Sequence, residues 1–208
     1  MNNNWTPTEL DSLKEIVNVG AGNAATALAS LLNQRVVMSV PQALSGSLAE
    51  VQLAMGERDQ KVLAVFLKIH GDVSGALTVI FPPASAITLA GQMTRQPHSS
   101  LEEFGAIDLS AMQEIGNIIL GTAITAFGRM LNLKIMHTIP DAAIDRLGAV
   151  SDSVVLEIGQ RAGQVLSFRI TLTVNQAPLK GDLYFLFDAT ASTALLTAAR
   201  RLLPPEAK

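Results

Sequence analysis

DSLKEIVNVGAGNAATALASLLNQRVVMSVP, residues 11–41, returns later in the chain as SAMQEIGNIILGTAITAFGRMLNLKIMHTIP, residues 110–140. Asp11, Glu15, Asn18 and Pro41 stand at the same spacings as Ser110, Glu114, Asn117 and Pro140. Between them Ile16/Ile115, Gly22/Gly121, Ala24/Ala123, Thr26/Thr125, Ala27/Ala126, Leu32/Leu131 and Asn33/Asn132 also match. Self-similarity of this kind reads as two copies of one structural unit. Repeated apolar positions need only a repeated core. A repeated Glu-x-x-Asn asks for a chemical reason.

Working outward, Thr6-Pro7-Thr8-Glu9 is a helix start, with Thr6 as cap, Pro7 at the first helical position and Glu9 completing a capping box. Leu10, Leu13, Ile16, Val17, Ala21, Ala24, Leu28 and Leu31 follow at three- and four-residue steps, which predicts one long amphipathic helix ending at Asn33. Strands are expected over 35–40, running into Pro41, and over 61–69 and 75–81, with a short helix within 47–55 and another helix over 84–93. The second half repeats the order: a helix over 101–131, a strand over 134–139, and a short helix over 142–147. Strands over 154–158, 165–174 and 183–187 come next, with a last helix over 191–203. Gly75-Ala76-Leu77 with Phe81 is echoed by Gly181-Asp182-Leu183 with Phe187. The expected fold class is α/β (α+β): an internal duplication with pseudo-two-fold symmetry, in which long helices pack a mostly antiparallel sheet. One domain over 1–208 is expected, built from repeats at about 6–95 and 101–203.

Composition narrows the function classes. The 208 residues are 49% hydrophobic and 16% charged, so the chain can bury a core. A net charge of −3 offers no basic surface for nucleic acid. Cysteine is absent, excluding disulfides, a thiol nucleophile and cysteine metal sites. The stretch 115–131 is apolar but contains Asn117, Thr122, Thr125 and Arg129 and is shorter than a membrane span requires. Without a leader-like amino terminus, the expected location is the cytoplasm. No Gly-x-Gly-x-x-Gly and no phosphate loop is present, so a nucleotide fold has no support.

On a helix, positions i, i+4 and i+7 lie within about 60° of one another. Asp11, Glu15 and Asn18 therefore form one narrow polar stripe, as do Ser110, Glu114 and Asn117. Four residues further along lie Gly22 and Gly121, where a partner can approach the backbone closely. A carboxamide offers one acceptor and two donors and can hold a water in one orientation. It is neither a base nor a strong metal ligand. The glutamate one turn earlier can pair with a cation on a partner. Such a set suits a reaction whose metal and leaving group are held by the partner, leaving only water to be positioned. The competing reading is a duplicated structural asparagine that braces or caps a neighbouring segment.

Other candidates carry less. His70, His98 and His137 lack metal-ligand spacing and read as surface or strand histidines, so no metal site is expected. Ser110 has no histidine partner, and its counterpart is Asp11, which argues against a nucleophile. Met93, Met112, Met130 and Met136 read as core filling, and Trp5 as a staple on the first helix.

At these residues the chain resembles the CheC/CheX/FliY family of response-regulator phosphatases, whose pattern is Asp or Ser, three residues, Glu, two residues, Asn, 22 residues and Pro. Residues 13–28 are also similar to the CheC type beyond the motif, and the likeness spans both halves. With two intact motifs the chain resembles the two-site CheC kind. The resemblance implies hydrolysis of the aspartyl phosphate on a CheY-like receiver domain, with the receiver supplying the acyl phosphate, Mg²⁺ and a lysine. No cofactor of the chain's own is implied. By analogy Asn18 and Asn117 orient the attacking water, and Glu15 and Glu114 pair with the receiver lysine. Asp11 and Ser110 open the motif, and Pro41 and Pro140 shape the strand end. The alternative it leaves open is a non-catalytic adaptor that binds a phosphorylated receiver or a CheD-type receptor deamidase. A monomer is expected, because the repeat already pairs two units, and the two sites are expected to be unequal.

Overall fold

The computed structural model describes residues 5–47, 49–50, 56–158 and 162–201. Helix α1 covers Pro7–Leu32 and its capping box is formed: Thr6 N–H donates to Glu9 Oε2 at 2.7 Å and Glu9 N–H to Thr6 Oγ1 at 3.3 Å. Its counterpart α3, Ala106–Leu131, opens with Gly105 N–H donating to Asp108 Oδ2 at 2.9 Å. Both helices end in an asparagine with left-handed backbone, Asn33 at φ 50° and Asn132 at φ 53°, which explains why that residue is repeated. The matched threonines also have a use: Thr26 and Thr125 hydroxyls donate to the Gly22 and Gly121 carbonyls one turn back.

The strands are β1 (Val36–Gly46), β2 (Lys61–Gly71), β3 (Gly75–Phe81), β4 (Ile135–His137), β5 (Asp141–Arg146), β6 (Ala162–Val174) and β7 (Ala177–Asp188). They form one sheet in the order β1-β6-β7-β3-β2-β4, with β5 also on β2, and every pairing is antiparallel. The first strand of each repeat pairs with the other repeat: β1 with β6, and β4 and β5 with β2. At the central seam Gly75 faces Phe187 and Thr78 faces Tyr184, so the pseudo-two-fold passes between Thr78 and Tyr184. A Cβ on Gly75 would lie 2.2 Å from the Leu186 carbonyl oxygen, and one on Gly181 would lie 3.1 Å from the Ile170 and Phe81 side chains.

Strand alternation divides the sheet's faces. Leu63, Val65, Leu67 and Ile69 join the main core with α1, α3, α2 (Pro83–Thr94) and α5 (Ala189–Arg200), and Trp5 is buried there too. Phe127, Phe168 and Phe185 stack in this layer at centroid distances of 4.9–6.4 Å. Val62, Ala64, Ala76, Ile80, Tyr184 and Leu186 face the other way, against Leu147 and Val150 of α4 (Leu147–Ile158).

Several sequence expectations change. The strand expected to stop at Pro41 continues to Gly46 through a bulge between Ser39 and Gln42, since a proline without N–H is accommodated where the ladder skips. Residues 42–46 thus extend the strand, and most of the helix expected within 47–55 lies outside the described residues. The helix expected over 142–147 is, as far as Arg146, strand β5, which β2 recruits as a partner, and Leu147 opens α4. The strand expected over 154–158 belongs to α4, whose first turn places Leu147 and Val150 on the sheet's second face. The helix expected from 101 starts at Ala106, after a 3₁₀ turn at Leu101–Glu103 and the extended Gly105. Of the helix expected over 191–203, α5 ends at Arg200, Arg201 is a turn, and 202–203 lie outside the described residues. Among the described residues no helix is long and apolar enough to cross a membrane.

Candidate functional site

Leu13, Ile16 and Val17 turn α1 inward, and Met112, Ile115 and Gly116 do the same for α3. That orientation leaves Asp11 and Glu15 exposed and Asn18 half-buried on α1, and Ser110 and Glu114 exposed and Asn117 half-buried on α3. The two stripes are therefore surface features on equivalent helices. The helices themselves touch: a Cβ on Gly20 would lie 2.9 Å from the Ala123 Cα, so α1 and α3 approach closely there. An exposed carboxylate one turn before a half-buried carboxamide can receive a cation and orient a water brought by a partner. Among the described residues no group of three or more His, Asp or Glu is placed to hold a metal ion.

The two copies differ at the strand end beside each helix. In the first, Val40 N–H donates to Asn18 Oδ1 at 2.9 Å, Val40 is buried, and Pro41 is exposed. The bulge frees that N–H from the ladder, and the asparagine satisfies it. In the second, Gln113 Nε2 donates to the Pro140 carbonyl, Pro140 is buried, and Ile139 is 87% exposed. Asn117 has no hydrogen-bond partner among the described residues. Lys14 stands where the second copy has Gln113, and Met38 where it has His137. The His137 Nε2 lies 3.8 Å from where a Cβ on Gly121 would be, whereas nothing lies within 4 Å of the same point on Gly22. Approach to the first stripe is open at its glycine, and approach to the second passes an imidazole.

Sequence reasoning missed the anchoring of each site helix. Glu9 and Asp108 occupy equivalent capping positions, and both are buried. Arg200 Nε donates to Glu9 Oε1 at 2.6 Å, and His98 Nε2 lies 2.8 Å from Asp108 Oδ1. Burial pushes the Glu9 carboxyl up, but the Thr6 N–H and hydroxyl and the Arg200 guanidinium outweigh it and hold it below the usual glutamate value. Burial likewise raises the Asp108 carboxyl, while the Gly105 N–H and the His98 ring bring it below the usual aspartate value. His98 is thus a buried partner rather than a surface histidine, packed on the Phe104 ring at 5.1 Å. The signal in sequence was the capping box, which marks a carboxylate but not the partner that Arg200 or His98 supplies from outside the helix. Met112 is core and Met93 half-buried, as expected, but Met130 and Met136 are exposed, at 40% and 57%. Met136 alternates away from Ile135, which packs on the core, so strand phase decides its exposure.

Comparison with known proteins decides the family. A model of the CheC-like family matches residues 9–45, and a model of chemotaxis phosphatase CheX matches residues 63–157. The chain is 30% identical over 194 residues to the CheY-P phosphatase CheC of Bacillus subtilis, spanning 91% of this chain and 93% of that one. The chain belongs to the CheC/CheX/FliY family. Its fold is similar to that of Thermotoga maritima FliY, with a TM-score of 0.76 at 20% identity over 96% of this chain and 99% of the other. It is also similar to CheX in the CheX-CheY-BeF3-Mg²⁺ complex from Borrelia burgdorferi, at a TM-score of 0.50 and 14% identity over 81% and 96% of the two chains. The chain's α/β fold class with an antiparallel sheet agrees with that structural likeness.

Proposed function

We propose that this member of the family is a protein phosphatase that hydrolyses the aspartyl phosphate of a CheY-like receiver domain. The observation that carries the reading is an exposed Glu one turn before a half-buried Asn on each of two equivalent helices. The relative named CheY-P phosphatase CheC, similar over nearly the whole chain, supports it, and so does the CheX fold seen in complex with CheY.

The chemistry asked of the chain is modest. The receiver carries the phosphoryl group and its Mg²⁺, so the metal belongs to the partner. Glu15 or Glu114 receives the receiver's lysine, which sets the approach of the two surfaces. Asn18 or Asn117 then holds a water in line with the bond to be broken, a task of position rather than acid–base strength. Asp11 and Ser110 extend each stripe as further acceptors, and the glycines let the partner come close. The experiment is phosphate release from a phosphorylated CheY-like receiver with wild-type chain, Asn18→Ala, Asn117→Ala and the double variant. Acceleration that vanishes only in the double variant supports two working sites. No acceleration by the wild-type chain sinks the reading.

One observation favours a second reading at the first site. The Asn18 carbonyl is engaged by Val40 N–H, as a brace would be. An adaptor that binds a receiver or a CheD-type deamidase would keep such an asparagine for structure. Binding of the phosphorylated receiver without accelerated release would support that reading.

A further inference from the structure

Each repeat must join its site helix to a strand that a proline interrupts, and the two copies do it with different side chains. In the first the brace is Asn18 itself, through the Val40 N–H. In the second it is Gln113, one turn before Asn117, through the Pro140 carbonyl. The consequence is visible in the strand: Val40 is buried and Pro41 exposed, whereas Ile139 is exposed and Pro140 buried. The inward and outward residues have exchanged places at the same position of the repeat.

We propose that Gln113 is a positioning residue of the second site, a reading that rests on the phosphatase function above. Holding Pro140 inward, Gln113 takes over the brace that Asn18 supplies in the first copy. Asn117 keeps its whole carboxamide for water and phosphoryl group, with a carbonyl oxygen free to accept a hydrogen bond from the water. Ile139, turned outward beside the stripe, gives the second site an apolar docking contact that the first lacks. A single exposed isoleucine needs no explanation by itself. Here its exposure follows from the same hydrogen bond that frees the asparagine.

The test uses the Asn18→Ala background, so that only the second site turns over. Gln113→Glu keeps the side-chain length and removes the N–H donor. It is expected to lower kcat about ten-fold, the scale of a small misplacement of a positioning group. Ile139→Ser is expected to raise KM for the phosphorylated receiver several-fold with kcat nearly unchanged. Unchanged kcat and KM in Gln113→Glu would overturn the proposal, as would a loss no larger than the unfolded fraction seen by circular dichroism. Amide exchange tests the division of braces without catalysis. Asn18→Ala should speed exchange at Val40, and Asn117→Ala should leave residues 137–139 at wild-type rates. If Asn117→Ala deprotects 137–139, the proposal fails even in an active phosphatase. If the exchange pattern holds but no variant or wild type releases phosphate, the phosphatase reading fails instead.

Discussion

At the scale of single residues, the two asparagines are alike in sequence and different in employment. Asn18 satisfies a backbone N–H beside a proline, while Asn117 has no partner among the described residues. Removing Asn18 leaves Val40 N–H without its acceptor, which costs about 1 kcal/mol where water can partly replace it. Removing Asn117 orphans nothing. Asn18→Ala is therefore expected to lower the urea midpoint measurably, and Asn117→Ala to leave the unfolding free energy within about 0.5 kcal/mol of wild type. The order should reverse in turnover, with Asn117→Ala losing the larger share of phosphate release. Equal stabilities, or a larger turnover loss in Asn18→Ala, would contradict this division.

At the scale of elements, each site helix is clamped at its first turn by a buried carboxylate and a side chain from outside the helix, Arg200 on Glu9 and His98 on Asp108. Glu9 and Asp108 both titrate below their ordinary values of 4.5 and 3.8. A carboxyl with a depressed folded value contributes stability that is complete above its unfolded value and is lost as pH falls through the folded one. Stability should thus be flat near neutrality and decline as pH drops below about 4.5. Arg200→Met removes one of the interactions holding Glu9 down, so its urea midpoint should fall at neutral pH and depend less steeply on acid. A parallel pH profile for Arg200→Met and wild type would show that the clamp on α1 contributes nothing. These clamps also mark where the sequence stopped being legible. Thr6 and Glu9 announce a capping box because its partners are three residues apart. Arg200 lies nearly the whole chain away, and no local pattern connects it to Glu9. The two long site helices, the polar stripes and the repeated glycine of the central seam were readable for the same reason, since each rests on short periodicity or direct repetition. Residues 142–147 and 154–158 were not, because pairing with β2 and cover of the second sheet face are decided by distant chain. The unequal strand ends could not be read either: they turn on Gln113 against Lys14, a difference that spacing alone makes look incidental.

At the scale of the molecule, the repeats are interlaced rather than adjacent. The first half's β1 depends on β6 for its ladder, and the second half's β4 and β5 depend on β2. The seam between β3 and β7 then joins the two sets into one sheet. Gly75→Val would drive a side chain into the Leu186 carbonyl at this seam and should cost about 3 kcal/mol or more, read as a lost thermal midpoint of several degrees. The stronger test is to cut the chain between its repeats. A fragment of residues 1–99 keeps β1 without its ladder partner and leaves β2 exposed on one edge. A fragment of residues 100–208 keeps β6 without β1, and β4 and β5 without β2. Neither buries the face on which its site helix packs, because α1 and α3 press on each other and on one shared core. Each fragment alone is therefore expected to lack the cooperative unfolding of the whole chain, and to expose strand edges prone to aggregation. Mixed in equal amounts from denaturant, the two should recover native-like near-ultraviolet circular dichroism and, if phosphatase activity is present, phosphate release. A 1–99 fragment that unfolded cooperatively by itself would mean that the first repeat carries its own core, and the interlaced pairing would then be a packing preference rather than a condition of folding.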